Sequence, residues 1–598
     1  MCGICLLLHS RVGESDSQSQ ITPEFLEELT EKLKSRGPDC FQEIKFSSER
    51  SFELCFYSSV LHLRGSTLEP QPVQDDKGNI LLWNGEIFNG PLCQSSISDT
   101  KVLSEKLSGC INMLEIVDVL GLIQGPYSLI YYQKCLNLLL FGRDIFGRRC
   151  LLWNISEDAF KLCSMALGKE KWKEVPTTGL FCLNLNEKNT KSSFVVYCFP
   201  WSTSASGLST CHNKIDFSNV EDLILRTKEN HFIENPVDKS LNRSPPPIRT
   251  NEDHSKISNG GEIETFNLLL EDSVYQKNVD CFEHVLSESV RRRVQNQPYL
   301  CKDCYIKNFS SCNHSSVGIL YSGGLDSIVI AALAHRYLPK NQSIDLLNVA
   351  FASNEKLKDT SHKKSTLAFD TPDRLTGRSG VTALKAICPT RQWNFIEVNI
   401  SEEMLVTQRK NRISQLLIPN CTVLDDSIGC AIWFAAHGEG FLLSDGHYEN
   451  YKSPARVLLV GMGADEQLGG YSRHRAKFNN CGWEGLIDEL ALELDRIGSR
   501  NLGRDDRIIS DNGVESRYPF LDENVVSYLN DLPVWLKMDL NLPRGLGEKL
   551  LLRLLAFKIG LLEAAVLPKR AIQFGSRIAK IENSKEKGSD ICERLKQL

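Results

Sequence analysis

Between about Ser202 and Ile263 the chain loses every structural period, and this interruption constrains the fold more than any other feature. Ser, Asn, Glu and Lys dominate there, with Ser244-Pro245-Pro246-Pro247 in the middle. Such a stretch buries too little apolar surface to offset its ordering entropy, so most of residues 202–263 reads as a flexible linker or insertion. The two flanks have different rhythms. From Cys2 to about Asn184, predicted strands at Leu54–Val60, Ile80–Trp83, Ser128–Tyr132, Leu136–Phe141 and Leu180–Leu185 alternate with turn residues. Helical patterns interrupt them at Pro23–Lys34 and Thr100–Leu107. From about Phe266 helix and strand alternate, with a helix at Cys281–Val294, a strand at Val317–Tyr321 and a helix at Ser327–Tyr337. Continuous apolar runs at Ile344–Ala350, Trp393–Val398 and Val457–Gly461 read as strands of a parallel sheet. After about Arg473 the pattern is mainly helical. A chain of 598 residues exceeds what one core supports, so the division is a domain at 2–185, the linker at 202–263 and a second domain at 266–598.

A formal charge of −6 argues against a general nucleic-acid binder, which carries a basic face. Twenty-one cysteines without regular spacing point to a reducing compartment. The segment Met1–Leu8 is apolar but lacks a basic flank and a small-residue cleavage site, and reads as a buried strand. No segment has the ~18 uninterrupted apolar residues that span a bilayer. The expectation is a cytoplasmic protein with no membrane partner.

Cys2 is the most chemically suggestive residue. Removal of Met1 leaves its thiol beside a free α-amine titrating near ~8, which is a nucleophile carrying its own base. It is joined in order by Arg36-Gly37-Pro38-Asp39, His62-Leu63-Arg64 and Asn84-Gly85-Glu86-Ile87-Phe88-Asn89. This set resembles the glutaminase domain of class II glutamine amidotransferases, whose product is ammonia. The resemblance implies an αββα sandwich of the N-terminal nucleophile type, an α+β fold. It implies that Cys2 is the nucleophile and that Asn84 and Gly85 form an oxyanion hole. Arg64 would bind the glutamine α-carboxylate and Asp99 the α-amine, with Glu86 also among the glutamine-binding residues. Arg143-Asp144-Ile145-Phe146-Gly147 matches the strand-to-turn segment that closes the family's sheet. Gly65 replaces the leucine usual after that arginine.

Ser322-Gly323-Gly324-Leu325-Asp326-Ser327 lies between a predicted strand and a predicted helix. Glycines let backbone approach an anion, and the helix start offers free N–H groups to phosphate; no Gly-Lys-Ser/Thr follows, so it is not a Walker loop. Gly463-Ala464-Asp465-Glu466-Gln467-Leu468-Gly469-Gly470-Tyr471 follows another predicted strand, with Asp465 where open α/β sheets place ligand contacts. Further on stand Asp506-Arg507, Glu515-Ser516-Arg517-Tyr518-Pro519-Phe520-Leu521-Asp522, Lys549 and Arg553. The first loop resembles the pyrophosphate loop of enzymes that cleave ATP between the α and β phosphates. Together the two halves resemble glutamine-hydrolysing asparagine synthetase over nearly the whole chain outside the linker and scattered insertions.

This resemblance implies an α/β parallel-sheet ATP-pyrophosphatase domain with a helical C-terminal portion. The implied ATP contacts are Leu320, Ser322, Gly323, Gly324, Asp326, Ser327, Gly461 and Met462. Asp326 and Asp465 would hold Mg²⁺, a hard cation suited to carboxylate oxygen, and Lys549 would stabilise charge at the reacting centre. The implied partners are small molecules (glutamine, aspartate and ATP), and a homodimer is compatible with the sequence.

One departure matters. The family's Ser-Gly-Glu-Gly loop is here Val460-Gly461-Met462-Gly463, and Met462 neither accepts a proton nor balances a charge. Two alternatives to asparagine synthesis therefore stay open: a catalytically impaired homologue that binds nucleotide or a protein, and an amidotransferase with another acceptor carboxylate. The stretch between Pro339 and Trp393 is also long and basic, with Lys356, Lys358, Lys363 and Lys364.

Weaker signals have plainer readings. Cys301, Cys304, Cys312 and His314 are zinc-ligand types, but their short, irregular spacing favours free thiols. Arg291-Arg292-Arg293 ends a helix and reads as a solvated face. Ile432-Trp433-Phe434 reads as core.

Overall fold

The computed structural model describes residues 2–10, 22–47, 52–65, 67–94, 96–156, 159–187, 194–202, 223–227, 232–237, 240–247, 261–295, 300–307, 309–310, 312–352, 368–420, 422–444 and 446–582. Lys356, Lys358, Lys363 and Lys364 lie outside them, as does most of the polar stretch 202–263.

The N-terminal half is built on β1 (Gly3–Ser10), in which alternate side chains face two different layers. Ile4, Leu6 and Leu8 share a core with Leu54, Phe56, Ile80, Leu82, Ile130 and Phe141. Cys5 and Leu7 share another with Leu29 and Leu33 of the helix Pro23–Arg36. A strand buried on both faces is what the continuous apolar run Ile4–Leu8 requires.

β1 belongs to a six-stranded antiparallel sheet with β2 (Cys40–Ser47), β3 (Phe52–Val60), β8 (Leu152–Ile155), β9 (Ala159–Cys163) and β10 (Lys173–Glu174), in the order β10-β8-β9-β1-β3-β2. The facing sheet comprises β4 (Val73–Gln74), β5 (Ile80–Gly85), β6 (Tyr127–Gln133), β7 (Leu138–Arg143), β11 (Gly179–Asn184), β12 (Phe194–Pro200) and β13 (Leu223–Thr227), ordered β13-β12-β11-β7-β6-β5-β4. Its outer residues Leu81, Trp83, Leu129 and Tyr131 cluster with Leu103, Leu107, Ile116 and Leu120 from the helices Asp99–Ser108 and Met113–Gly121. The layers therefore run helix, sheet, sheet, helix.

β13 lies inside the stretch expected to be linker, pairing parallel with β12. Residues 240–247 also hold to the second half: Asn242 donates from its backbone N–H to the Asn530 carbonyl and from its side-chain amide to the Asp531 carbonyl, and Arg243 pairs with Asp488 at 2.6 Å. Polar composition concealed these attachments.

The C-terminal half centres on β14 (Val317–Leu320), β15 (Ile344–Ala352), β16 (Trp393–Ser401), β19 (Val457–Leu459) and β20 (Glu515–Arg517), all parallel. A hairpin of β17 (Glu439–Ser444) and β18 (His447–Lys452) extends one edge antiparallel, giving β18-β17-β16-β15-β14-β19-β20. The sheet is thus mixed, and the all-parallel expectation needs this correction. The hairpin's side chains are largely exposed, Phe441 and Leu443 included, and the sequence reading did not place it.

The halves meet through buried arginine–carboxylate pairs. Arg36 reaches Asp506 at 2.8 Å, Arg149 reaches Glu515 at 3.1 Å and Arg148 reaches Glu523 at 2.5 Å. Arg456 pairs with Asp39 and donates to the carbonyl of His62 at 3.0 Å. Removing one partner of such a pair strands a buried charge, at a cost of about 3–5 kcal/mol. Two of the three arginines in the Arg291–Arg293 run are likewise not solvated: Arg292 and Arg293 both clamp Asp522, at 2.9 and 2.7 Å, while Arg291 stays at the surface against Glu288.

Candidate active sites

Cys2 stands at the head of β1, buried, with its backbone nitrogen 3.1 Å from Asn84 Oδ1. Gln71 Nε2 donates to its sulfur at 3.6 Å and to Thr100 Oγ1 at 3.3 Å, while Gln71 Oε1 accepts from the Trp83 amide. Burial pushes the Cys2 thiol up; an N–H from Leu61 opposes this, and the carboxylates of Glu515 and Glu86 add to it. Asn84 and Gly85 end β5. A Cβ on Gly85 would stand 2.6 Å from the Pro126 carbonyl oxygen, so only glycine fits.

Across the cavity, Arg64 Nη1 lies 2.9 Å from Asp99 and 3.7 Å from Glu86, and also donates to the Ile87 carbonyl. Burial raises the Asp99 carboxyl, Glu86 raises it further, and Arg64 opposes both. Glu86 is raised by burial and Glu515, and its other oxygen lies 3.9 Å from Arg517 in the second half. Gly65 has φ +85°, which explains a glycine where leucine is usual: the chain turns left-handed directly after Arg64. The cavity between these groups is only about 40 Å³.

The second site gathers residues from distant segments. After β14 the chain turns at Gly323, φ +75°, where a Cβ would stand 2.5 Å from Gly377 backbone. Gly324 then caps the helix Leu325–His335. Ser322 Oγ accepts from the Gly324 amide, and Ser327 Oγ donates to the Gly324 carbonyl. Asp326 lies one residue into the helix. Lys549 bridges Asp326 at 2.6 Å and Asp465 at 2.7 Å, and Lys569 also pairs with Asp465. Burial would raise Asp465, but the two ammonium groups hold it well below the ordinary carboxylate range. Lys549 is itself held up by its two carboxylates against burial. Lys549 adopts φ +56°, a costly conformation for a residue with a side chain. Gly470 makes room, since a Cβ there would stand 1.8 Å from Asp465 Oδ1.

These groups open onto a cavity of about 640 Å³, which Leu320, Gly461 and Met462 also line. Met462 packs on a hydrophobic core that includes Ile432 and Val460. Sequence reasoning missed Lys569, which sits in no motif, and missed Gln71, which only the fold brings to Cys2. It noted Arg36-Gly37-Pro38-Asp39, Asp506-Arg507 and Glu515–Asp522 without a role; Arg36, Asp39, Asp506, Glu515 and Asp522 are the buried ion-pair partners described above.

Two clusters of buried polar and charged groups thus lie one on a layered sandwich and one on a mixed α/β sheet. The asparagine synthase family matches residues 479–595, the stretch that contains Glu515, Arg517 and Lys549. The mouse protein "Asparagine synthetase domain-containing protein 1" is 43% identical over 100% of both chains, and its human counterpart is 42% identical over 100% of this chain and 98% of its own. The chain belongs to the family of asparagine synthetase domain-containing proteins. More distantly, chicken "Asparagine synthetase [glutamine-hydrolyzing]" is 23% identical over 92% of this chain and 82% of its own. Among the described residues no helix is long and apolar enough to cross a membrane.

Proposed function

We propose that the chain is an ATP-dependent amide ligase that takes nitrogen from glutamine and forms asparagine from aspartate, with residues 2–185 as the glutaminase and 266–598 as the synthetase. In the first site, removal of Met1 makes the Cys2 nitrogen an amine. Its placement 3.1 Å from Asn84 Oδ1 leaves it to take the thiol proton while an N–H is held by Asn84. The thiolate adds to the glutamine side-chain carbonyl, and Gly85 N–H and the Asn84 amide stabilise the oxyanion. The proton returns to the leaving nitrogen, ammonia departs, and water releases glutamate. Arg64 and Asp99 take the α-carboxylate and α-ammonium.

In the second site the residues fit ATP and Mg²⁺. Asp326 and Asp465 present only hard oxygen donors to a shared position now neutralised by Lys549, and the cavity is of nucleotide size. Bound Mg²⁺ would supply charge neutralisation on the phosphates. The amides of the 322–327 loop hold phosphate, and Lys549 and Lys569 hold developing negative charge. The aspartate carboxylate attacks the α-phosphorus, pyrophosphate leaves, and ammonia displaces AMP from the aspartyl group. The observation that carries this reading is the convergence of Asp326, Asp465 and Lys549 at the foot of the large cavity. The test is asparagine, AMP and pyrophosphate formed from aspartate, ATP and amide-labelled glutamine; no labelled asparagine, with glutamate still released, would defeat it.

Met462 favours a second reading, in which ATP binds but amide synthesis is impaired or another carboxylate is the acceptor. Its thioether lines the cavity where the resemblance implies glutamate, and general-base help is worth roughly 10²–10⁴. On this reading Met462→Glu raises the rate of asparagine formation. Robust synthesis by the natural protein, with no gain from glutamate, excludes impairment.

A further inference from the structure

The spacing of Cys301, Cys304, Cys312 and His314 argues for free thiols, yet the fold brings all four together. Their ligand atoms lie within 4.8 Å of one another. Cys301 is fully buried and precedes the short helix Lys302–Ile306; Cys304 follows on its first turn, and Cys312 and His314 stand shortly before β14. His314 Nδ1 lies 3.6 Å from Cys301 Sγ and 3.4 Å from Cys304 Sγ. A tetrahedral ion with ordinary zinc–sulfur and zinc–nitrogen bonds separates such ligands by about 3.6 Å. The sulfurs are oriented by backbone: the Cys304 amide donates to Cys301 Sγ at 3.4 Å, and the Cys301 amide donates to Cys312 Sγ at 3.3 Å. N–H groups aimed at thiolates stabilise their charge and fix their direction, the outer support that metal ligands require.

We infer that Cys301, Cys304, Cys312 and His314 form a Zn²⁺ site. Three soft thiolates and an imidazole exclude Mg²⁺ and Ca²⁺ and suit zinc. Four protein ligands leave no open position, so the ion is structural and takes no part in either reaction. Binding releases the thiol protons to solvent and changes no oxidation state. The staple holds Tyr305, whose ring lies under Arg456 at 4.4 Å and 5.5 Å from the His62 ring. Lys302, also in the loop, bonds through its amide to the Pro454 carbonyl. The loop thereby braces the junction of the two halves beside the segment leading to Arg64.

The test uses the full chain without an affinity tag, purified under reducing conditions. Elemental analysis after dialysis should find about one zinc per chain. Cobalt exchanged into the protein should give thiolate charge-transfer and tetrahedral ligand-field absorption. Cys304→Ser and His314→Ala should lose the metal, whereas Cys481→Ser, at an exposed cysteine elsewhere, should retain it. Should the site variants fail to fold, zinc content and the cobalt spectrum of the natural chain still decide. Zinc that is substoichiometric and stripped by dialysis, with no thiolate–cobalt bands, overturns the inference; so does a disulfide among these cysteines in the protein as isolated.

Discussion

The two cavities hold buried charge in different arrangements. The Cys2 cavity is about 40 Å³, and its far wall is one cation, Arg64, closed onto Asp99 at 2.9 Å with Glu86 beside it at 3.7 Å. The second is about 640 Å³, with two carboxylates and two lysines at its foot and Arg504 and Arg570 in its walls. A paired cation and anion complement an α-amino acid zwitterion, which must part the pair to enter. A roomy basic cavity with a carboxylate pair complements a polyanion accompanied by a dication. On the proposed function, the first site would select by charge geometry at close range and the second by volume and charge density, so a single substitution should disable one without the other.

Cys2→Ala is the largest expected effect. Glutamine-dependent ammonia release should fall roughly 10⁴-fold or more, as for other nucleophile deletions, while ammonia-dependent AMP formation at the second site persists. Loss of both in a well-folded variant breaks the comparison, because it makes the sites one unit. Intact mass bears on the same point: a Met1 retained on most molecules acylates the nitrogen and removes the proposed base.

Lys549→Met sharpens the second half of the comparison. It leaves Asp326 and Asp465 facing each other without their shared cation, and the AMP-forming rate should fall about 10²–10³-fold. Glutamate release from glutamine should be unaffected. An unchanged rate of AMP formation would place the reacting centre elsewhere in the large cavity.

The two sites were also unequally legible in the sequence. At the first, Cys2, Arg64, Asn84 and Gly85 sit in short motifs at or just beyond strand ends, Asp99 opens a helix, and the strands themselves show as apolar runs. At the second, the 322–327 loop was readable because a strand–glycine–helix turn has a local signature. Lys569 was not, because a lone lysine between short helices carries no period. The arginine run 291–293 misled for the same reason: its partner Asp522 is more than two hundred positions away, and pairing at that range leaves no local trace. Cys301, Cys304, Cys312 and His314 lie together in the fold, a proximity that spacing alone does not encode. The hairpin β17–β18, largely exposed even at Phe441 and Leu443, escaped a reading based on burial.

A smaller effect is expected at Gly65, where the first site's geometry is set by backbone. Gly65→Leu forces a branched side chain into φ +85°, with its Cβ 3.3 Å from the Ser98 amide nitrogen. Left-handed backbone costs an ordinary residue about 1–2 kcal/mol, and the strain falls on the Arg64–Asp99 pair. Half-saturation by glutamine should rise roughly tenfold with turnover less affected. Steady-state kinetics at varied glutamine decides; an unchanged value would mean that the turn does not position Arg64.

The smallest effect contrasts Lys549 with Lys537, a second fully buried lysine in the same half. Lys549 is bridged by two carboxylates and held above its ordinary range. Lys537, at the end of the helix Val534–Lys537, has no hydrogen-bond partner for its ammonium among the described residues, and burial lowers it to about 7. The unfolded chain keeps that proton to higher pH, near ~10.4. Between about pH 7 and that value the unfolded state binds more protons, so stability should rise with pH; below pH 7 the full cost of burying the charge is present. Lys537→Met keeps the volume and removes the charge, and should stabilise the fold at neutral pH by about 1–4 kcal/mol. The measurement is the thermal midpoint of natural and substituted proteins from pH 7 to 10. The difference between them should shrink as pH rises. A constant difference would mean that Lys537 stays charged in the folded chain, with water reaching it, and that burial alone does not separate the two lysines.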